Sequence, residues 1–254
     1  MKVGCFYTIV LILTLSSVSG YAEIYVNEDF EQFADGDDIG KNSDFWEMTE
    51  PDDSPVGPGV ASSKQAHSGK ISALFDDGQC MGFPFANLNL PDNYVVSTWF
   101  YHDSTQSPPP DAIVTMIPDT YPGGGNSWMG IGTRTEAVER ENYAYRDKTA
   151  TGIYEDTEIP RRTEWVQFVF IVQPDAMEFY VDGKKVYTAK INASRFTGYQ
   201  LSRTPVWGKQ TGEVFIDDVI IADTIDEIPL VQAVAATNKL AATWGGLKQT
   251  LIGF

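Results

Sequence analysis

Between Ala22 and Asp223 the chain shows no sustained helical period; short runs of β-formers follow one another instead. They read AEIYVNEDF, DFWEM, GVASSKQA, KISALF, CMGFPFA, YVVSTWFYH, AIVTMI, SWMGIGTRT, NYAYRDKTATGIY, EWVQFVFIV, AMEFYVDGKKVYTAKI and EVFIDDVIIAD. In EWVQFVFIV, Val166, Phe168, Phe170 and Val172 fall on one face and Trp165, Gln167 and Val169 on the other, because successive side chains of a strand point to opposite sides. The joints PDDSPVGPG (Pro51 to Gly59), STQSPPP (Ser104 to Pro110) and YPGGG (Tyr121 to Gly125) are rich in residues that end strands. Many short strands with such joints predict an all-β protein, a two-sheet antiparallel sandwich or jelly roll, and exclude an alternating parallel α/β sheet. No internal repeat is visible.

The stretch EFYVDGKKVY, Glu178 to Tyr187, is the sharpest local signal. Asp-Gly between two alternating runs specifies a tight hairpin, since a type I′ turn needs positive φ at both central positions. Asp182 is therefore read as structural, with Phe179 and Val181 facing one way and Glu178 and Tyr180 the other.

The first residues place Lys2 ahead of an apolar run that ends in Ser17, Ser19, Gly20 and Ala22, the layout of a secretory signal peptide with cleavage near Ala22. The expected organisation is a signal peptide over 1–22, one β domain over 23–224 and a tail over 225–254. Exported, the mature chain is expected to be secreted or held at the cell surface, with no transmembrane segment. Cys5 precedes the apolar run, so it is not placed for lipidation, and Cys80 is left without an internal disulfide partner. Stability then rests on an ordinary core. A formal net charge of -17 excludes nucleic acid, whose phosphates it would repel, and leaves cations and uncharged or basic ligands.

The order EWVQFVFIV, EFYVDGKKVY, EVFIDDVIIAD near the end of a β domain resembles the laminin G-like, concanavalin A-like lectin/glucanase superfamily. EDFEQFADGDDI followed by HSGKISALF is similar to the first strands of such domains and of related jelly-roll carbohydrate-binding modules. The resemblance runs over residues 23–223 and implies two facing sheets, one concave and often used for glycans. It does not select a ligand, because the fold hosts enzymes, lectins and protein-binding modules alike.

Glucanases of this superfamily carry an E-x-D-x-(x)-E strand, which gives a retaining hydrolase two carboxylates about 5 Å apart. That pattern is absent here, which counts against an enzyme. The acidic groups Glu136, Glu139, Glu141 and Glu155, Asp156, Glu158 lack apolar alternation and read as solvated loops or edges. There is no G-x-S-x-G elbow, and the histidines are His67 and His102, the latter read as a surface residue at a strand end. A glycoside hydrolase, or a polysaccharide lyase with a Tyr or His base, stays open as the alternative.

Aromatic faces stack on sugar C–H groups, and planar donors beside them fix orientation. Trp99 and Tyr101 share one face of YVVSTWFYH. Trp128 and Arg134 share a face of SWMGIGTRT with Gly130 and Gly132 between them, and Tyr143 and Tyr145 repeat the theme on the next strand, with Trp207 from a loop. These residues are the candidate glycan site; the competing reading for each is core packing. The jelly-roll resemblance further implies a structural calcium where an early F-E motif meets a late I-D-D-V motif, bringing Asp29 and Glu31 to Asp217 and Asp218.

The tail segment NKLAATWGGLK resembles a short C-terminal tail of secreted surface proteins, of the form K-L-A-T-T-W-G-x-L-K, and is a candidate sorting or anchoring signal or a helix packed on the domain. The sequence is thus read as an exported carbohydrate-binding or adhesion module with a polysaccharide or glycan partner. A carbohydrate-active enzyme and a structural surface protein that binds other proteins are the alternatives.

Overall fold

The computed structural model describes residues 23–49, 57–76, 78–106, 109–118, 129–134, 141–147, 154–191, 196–203, 212–225 and 228. Its strands, numbered in chain order, form two antiparallel sheets. The first contains β1 (Ile24–Glu28), β3 (Val60–Ser62), β4 (Ser72–Phe75), β6 (Tyr94–His102), β11 (Val166–Val172), β12 (Ala176–Val181), β13 (Lys184–Lys190) and β15 (Val214–Ala222). Its order is β13-β12-β11-β6-β15-β4-β3, with β1 also paired to β15. The second, in the order β10-β9-β8-β7-β14-β5-β2, contains β2 (Glu47–Met48), β5 (Cys80–Pro84), β7 (Ala112–Ile117), β8 (Met129–Thr133), β9 (Asn142–Asp147), β10 (Tyr154–Pro160) and β14 (Gly198–Arg203). Among the described residues helix is confined to α1 (Ile39–Asn42), capped by Asp38 through the Lys41 N–H, and one 3-10 turn at Phe85–Asn87. Among the described residues no helix is long and apolar enough to cross a membrane.

The two-sheet all-β sandwich read from the alternation is therefore the fold. Val166, Phe168, Phe170 and Val172 face the core, where Phe168 packs on Phe100 at 5.0 Å and on Tyr143 at 5.4 Å between ring centroids. Burying such a side chain contributes about 1.5–3 kcal/mol relative to leaving it in water. The hairpin of β12 and β13 has the expected turn, with φ of 47° at Asp182 and 73° at Gly183. Asp182 also ties the turn to β11: its carboxylate accepts the Gln167 backbone N–H at 2.9 Å and pairs with the Arg162 guanidinium.

Three placements differ from the sequence reading. GYQLSR was not among the β-type runs, yet β14 lies inside the second sheet between β7 and β5, with Tyr199 and Leu201 in the core. His102 is not at the surface: it is 0% exposed at the inner end of β6, against Phe100 and Tyr143. Ile225 and Ile228, assigned to the tail, pack with Val95, Val169, Ile171 and Ile220 on the outer face of the first sheet, so the folded domain continues past Thr224. The acidic run Glu155, Asp156 and Glu158 lies on β10, the edge strand of the second sheet, as its polarity implied.

Candidate functional site

Parity along the strands divides the six aromatic and basic residues proposed from sequence. On β6, Tyr94, Val96 and Phe100 enter the core, which turns Trp99 and Tyr101 to the outer face of the first sheet. On β8, Met129 and Ile131 enter the core, which turns Gly130 and Gly132 outward on the second sheet. Tyr145 is opposite Ile131 and so shares its side. Tyr143 and Tyr145 are accordingly core residues, 0% and 7% exposed, and not ligand-facing ones: the strand register decides the face, and it puts the aromatic ring of each against Phe168 or Phe179. Trp99 and Tyr101 lie on the opposite outer face from Gly130 and Gly132, so the residues proposed from sequence do not make one site. Trp128 and Trp207 lie outside the described residues.

Arg134 is held within the protein. Its guanidinium lies 4.6 Å above the Tyr154 ring and 3.6 Å from the Asp111 carboxylate, with Arg146 also over Tyr154 at 5.3 Å. Gly130 and Gly132 are set by neighbouring backbone: a Cβ on Gly132 would come within 2.0 Å of the Ala112 carbonyl oxygen, and one on Gly130 within 2.4 Å of that of Val114. They serve close strand approach rather than a bare ligand platform.

The outer face of the first sheet carries the richer constellation. Between Asp217 and Ile220 the register of β15 shifts, with φ of 45° at Asp218, and at this bulge the neighbour of β15 changes from β4 to β1. A bulge re-aims side chains, and here it points two adjacent carboxylates at one loop. Asp217 accepts the backbone N–H groups of His67 at 2.7 Å and Ser68 at 3.2 Å, and that of Asp218 at 2.9 Å. Asp218 lies 2.5 Å from His67 Nδ1 and accepts the Ser68 hydroxyl at 2.7 Å. Glu31 accepts the N–H groups of Lys70 and Ile71 from the same loop, both at 2.6 Å, and these bonds hold its carboxyl below the usual range. Burial, and then the neighbouring Asp218 charge, push Asp217 up to about 7 against the opposing pull of its N–H donors.

Pinned in this way, the His67 ring stacks on Trp99, 3.8 Å between centroids and 14° between planes. Trp165 meets His67 edge-on at 5.7 Å and Tyr101 at 5.6 Å, and Tyr101 meets Phe215 at 6.0 Å. The result is an aromatic strip over β15, β6 and the start of β11, half-buried at Tyr101 and Trp165 and exposed at His67, with Asp218 and Ser68 at its polar margin. Trp165 was placed on this face by alternation but not nominated. His67 and Ser68 carried no signal, since their partners lie about 150 positions further along the chain.

The early and late acidic motifs do meet, at Glu31, Asp217 and Asp218, whereas Asp29 is half-buried and accepts the Glu31 N–H at 3.2 Å. Calcium needs several oxygen lone pairs turned to one point. Here the oxygens of Asp217 and Asp218 receive N–H and O–H donors, and among the described residues no group of three or more His, Cys, Asp or Glu is placed to hold a metal ion. The arrangement does not fit a calcium ion; loop donors occupy the oxygens that would bind it.

No protein-family model matches the chain, and no curated protein sequence does. Solved structures do. The chain is similar to domain 4 of AbnA, a GH43 extracellular arabinanase from Geobacillus stearothermophilus solved in complex with arabinotriose, at 14% identity and a TM-score of 0.50, over 79% of this chain and 92% of that one. It is also similar to the cellulose-induced protein Cip1, at 18% identity and a TM-score of 0.49, over 78% and 97% of the two chains. The receptor-binding domain of botulinum neurotoxin C/D mosaic serotype matches at 10% identity and a TM-score of 0.49, over 79% and 48%. At these identities the likeness is one of fold, the antiparallel β-sandwich.

Proposed function

We propose that the chain is an exported carbohydrate-binding module of the laminin G-like, concanavalin A-like class that takes a polysaccharide against Tyr101, Trp165 and His67. The observation that carries this reading is the aromatic strip itself: rings from β6, the start of β11 and the 67–71 loop, bordered by the hydrogen-bonding groups of Asp218 and Ser68. Sugars are bound by this combination of apolar ring faces and a few fixed polar groups. The arabinotriose complex of an AbnA domain with this fold supports it. The signal-like residues 1–22 and the NKLAATWGGLK tail support export and surface attachment.

A polysaccharide lyase is a second reading, favoured by the imidazole of His67 held by Asp218 beside the strip, the arrangement of an oriented general base. A retaining hydrolase that uses the Asp217 and Asp218 pair is not supported, because Asp217 is 0% exposed and cannot reach a glycosidic bond.

The test is a glycan array probed with residues 23–254 and with Trp165→Ala and Tyr101→Ala. Binding to one polysaccharide class that weakens about tenfold or more in either variant, roughly 1.4 kcal/mol, supports the assignment. Equal binding by all three proteins, or none by any, overturns it. Incubation of the bound polysaccharide with the native protein and with His67→Ala then separates a lectin from a lyase by chain shortening.

A further inference from the structure

The charged groups that border the aromatic strip restrict what kind of chain can lie on it. Its cations are already engaged within the protein. His67 is held by Asp218, 2.5 Å from its Nδ1, and Lys64 pairs with Glu213, two residues ahead of Phe215. Arg162, three residues ahead of Trp165, pairs with Asp182, and its Nε lies 3.3 Å from Glu164. Lys70, further along the 67–71 loop, gives its N–H to Glu31 at 2.6 Å, and its charge acts on the same carboxylate. A uronate or sulfate group laid on the strip would give up its water and meet no cation that is not already shared with a carboxylate.

Asp103 adds a charge that no cation offsets. It follows β6 two residues after Tyr101, about 7 Å along an extended chain, and is half-buried. The Thr105 N–H at 2.9 Å and the Thr105 hydroxyl at 2.7 Å both reach its Oδ1, and the Thr163 hydroxyl lies 3.5 Å from the same oxygen. The bonds from Thr105 hold its carboxyl below the usual range, so it is ionised at neutral pH, and neither Lys nor Arg contributes to that shift. Its second oxygen is left as an acceptor at the end of the strip. A carboxylate oxygen beside aromatic faces accepts hydroxyl protons, which an uncharged sugar chain supplies, and it repels an anionic chain by an amount that salt screens. The net charge of -17 acts in the same sense.

We infer that the strip takes an uncharged polysaccharide, with Asp103 accepting one of its hydroxyls, and rejects chains that carry uronate or sulfate. This selection presupposes that Tyr101 and Trp165 form the glycan site.

The experiment titrates hydroxyethylcellulose, mannan, laminarin and arabinan, each beside its carboxymethyl derivative, and polygalacturonate into residues 23–254, Asp103→Asn and Trp165→Ala, by calorimetry at about 20 mM and about 500 mM salt. Asp103→Asn keeps the side-chain oxygen that Thr105 holds, so the turn after β6 is conserved. The expected result is binding of an uncharged chain at least about tenfold tighter than of its carboxymethyl derivative at low salt. Asp103→Asn or high salt should narrow that gap to about threefold or less, and Trp165→Ala should weaken binding of the uncharged chain. Polygalacturonate or a carboxymethyl derivative bound as tightly as the uncharged chains, and weakened by Trp165→Ala, overturns the selection while leaving the strip as a glycan site. A gap that neither salt nor Asp103→Asn narrows overturns it as well. Binding of no chain, or binding indifferent to Trp165→Ala, overturns the glycan reading and the selection with it.

Discussion

His102 permits a prediction whose size follows from its surroundings. It is 0% exposed, wedged between Phe100 and Tyr143, and neither ring nitrogen has a hydrogen-bond partner among the described residues. Burial, and secondarily the Arg161 charge, lower its pKa from 6.5 to about 3. The unfolded chain therefore takes up a proton below pH 6.5 that the folded chain refuses, and stability is lost as pH falls from 6.5 towards 3. The slope approaches roughly 1.4 kcal/mol per pH unit, which gives about 3 kcal/mol between pH 7 and pH 4.5. His102→Leu removes the titrating ring while keeping an apolar side chain of similar reach. At pH 8 the variant should lie within about 1–2 kcal/mol of the native protein, since removing two unsatisfied nitrogens offsets the lost ring contacts. Urea unfolding followed by tryptophan fluorescence, at constant ionic strength from pH 8 to pH 4.5, measures both proteins. The carboxylates that also titrate in this range cancel in the difference, so the variant should gain about 3 kcal/mol on the native protein by pH 4.5. Stability curves that stay parallel to within about 0.5 kcal/mol would refute the reasoning, because His102 would then be titrating in the fold as it does in the open chain.

Gly132→Ala should destabilise the domain by about 3 kcal/mol or more in urea unfolding, since the new Cβ meets the backbone of β7, which cannot yield as a flexible side chain would. A loss below about 1 kcal/mol would show that β8 is free to move away from β7. Calcium at millimolar concentration, against excess EDTA, should leave the melting temperature unchanged, because loop N–H and O–H donors hold Asp217 and Asp218. A calcium-dependent rise of several degrees would show instead that the loop yields those oxygens to the ion.

The strands that were legible are those whose pattern is local. Val166 to Val172 and Met177 to Val181 alternate without interruption, and Asp182-Gly183 fixes the hairpin of β12 and β13 by backbone conformation alone. β14 also alternates, through Tyr199 and Leu201, but Gly198, Gln200 and Ser202 on its other face gave it the composition of a loop. Its place is decided by pairing with β5 and β7, far away in sequence. Tyr143 and Tyr145 show the same limit from the other side. Their alternation was evident, but the side they face depends on Tyr145 lying opposite Ile131 and not opposite Gly130 or Gly132, and a shift of one residue reverses it.

The site required still longer reach. Trp99 and Tyr101 were visible as an outward pair on one strand, but an aromatic pair on a strand becomes a site only through what borders it. On one flank the border is Trp165, brought alongside by the pairing of β11 with β6. On the other it is His67, from the connection between β3 and β4, and nothing near His67 in sequence holds it there. It is held because β15 is too long for one neighbour. β4 covers the first part of that edge and β1 the last, and the bulge at Asp217 and Asp218 falls where the two exchange. The 67–71 loop crosses this junction, and its backbone N–H groups would otherwise face a carboxylate-poor sheet edge without acceptors. Asp217, Asp218 and Glu31 supply the acceptors, so the acidic motifs that sequence suggested for a cation instead fix a loop. The stacking of His67 on Trp99 follows from that fixation. If His67 moved away, Trp99 would add its face to Trp165 and Tyr101; where His67 stays, it is itself the ring presented to a ligand. Trp99→Ala distinguishes the two: it should weaken glycan binding as much as Trp165→Ala if the loop opens, and much less if His67 remains the contacting ring.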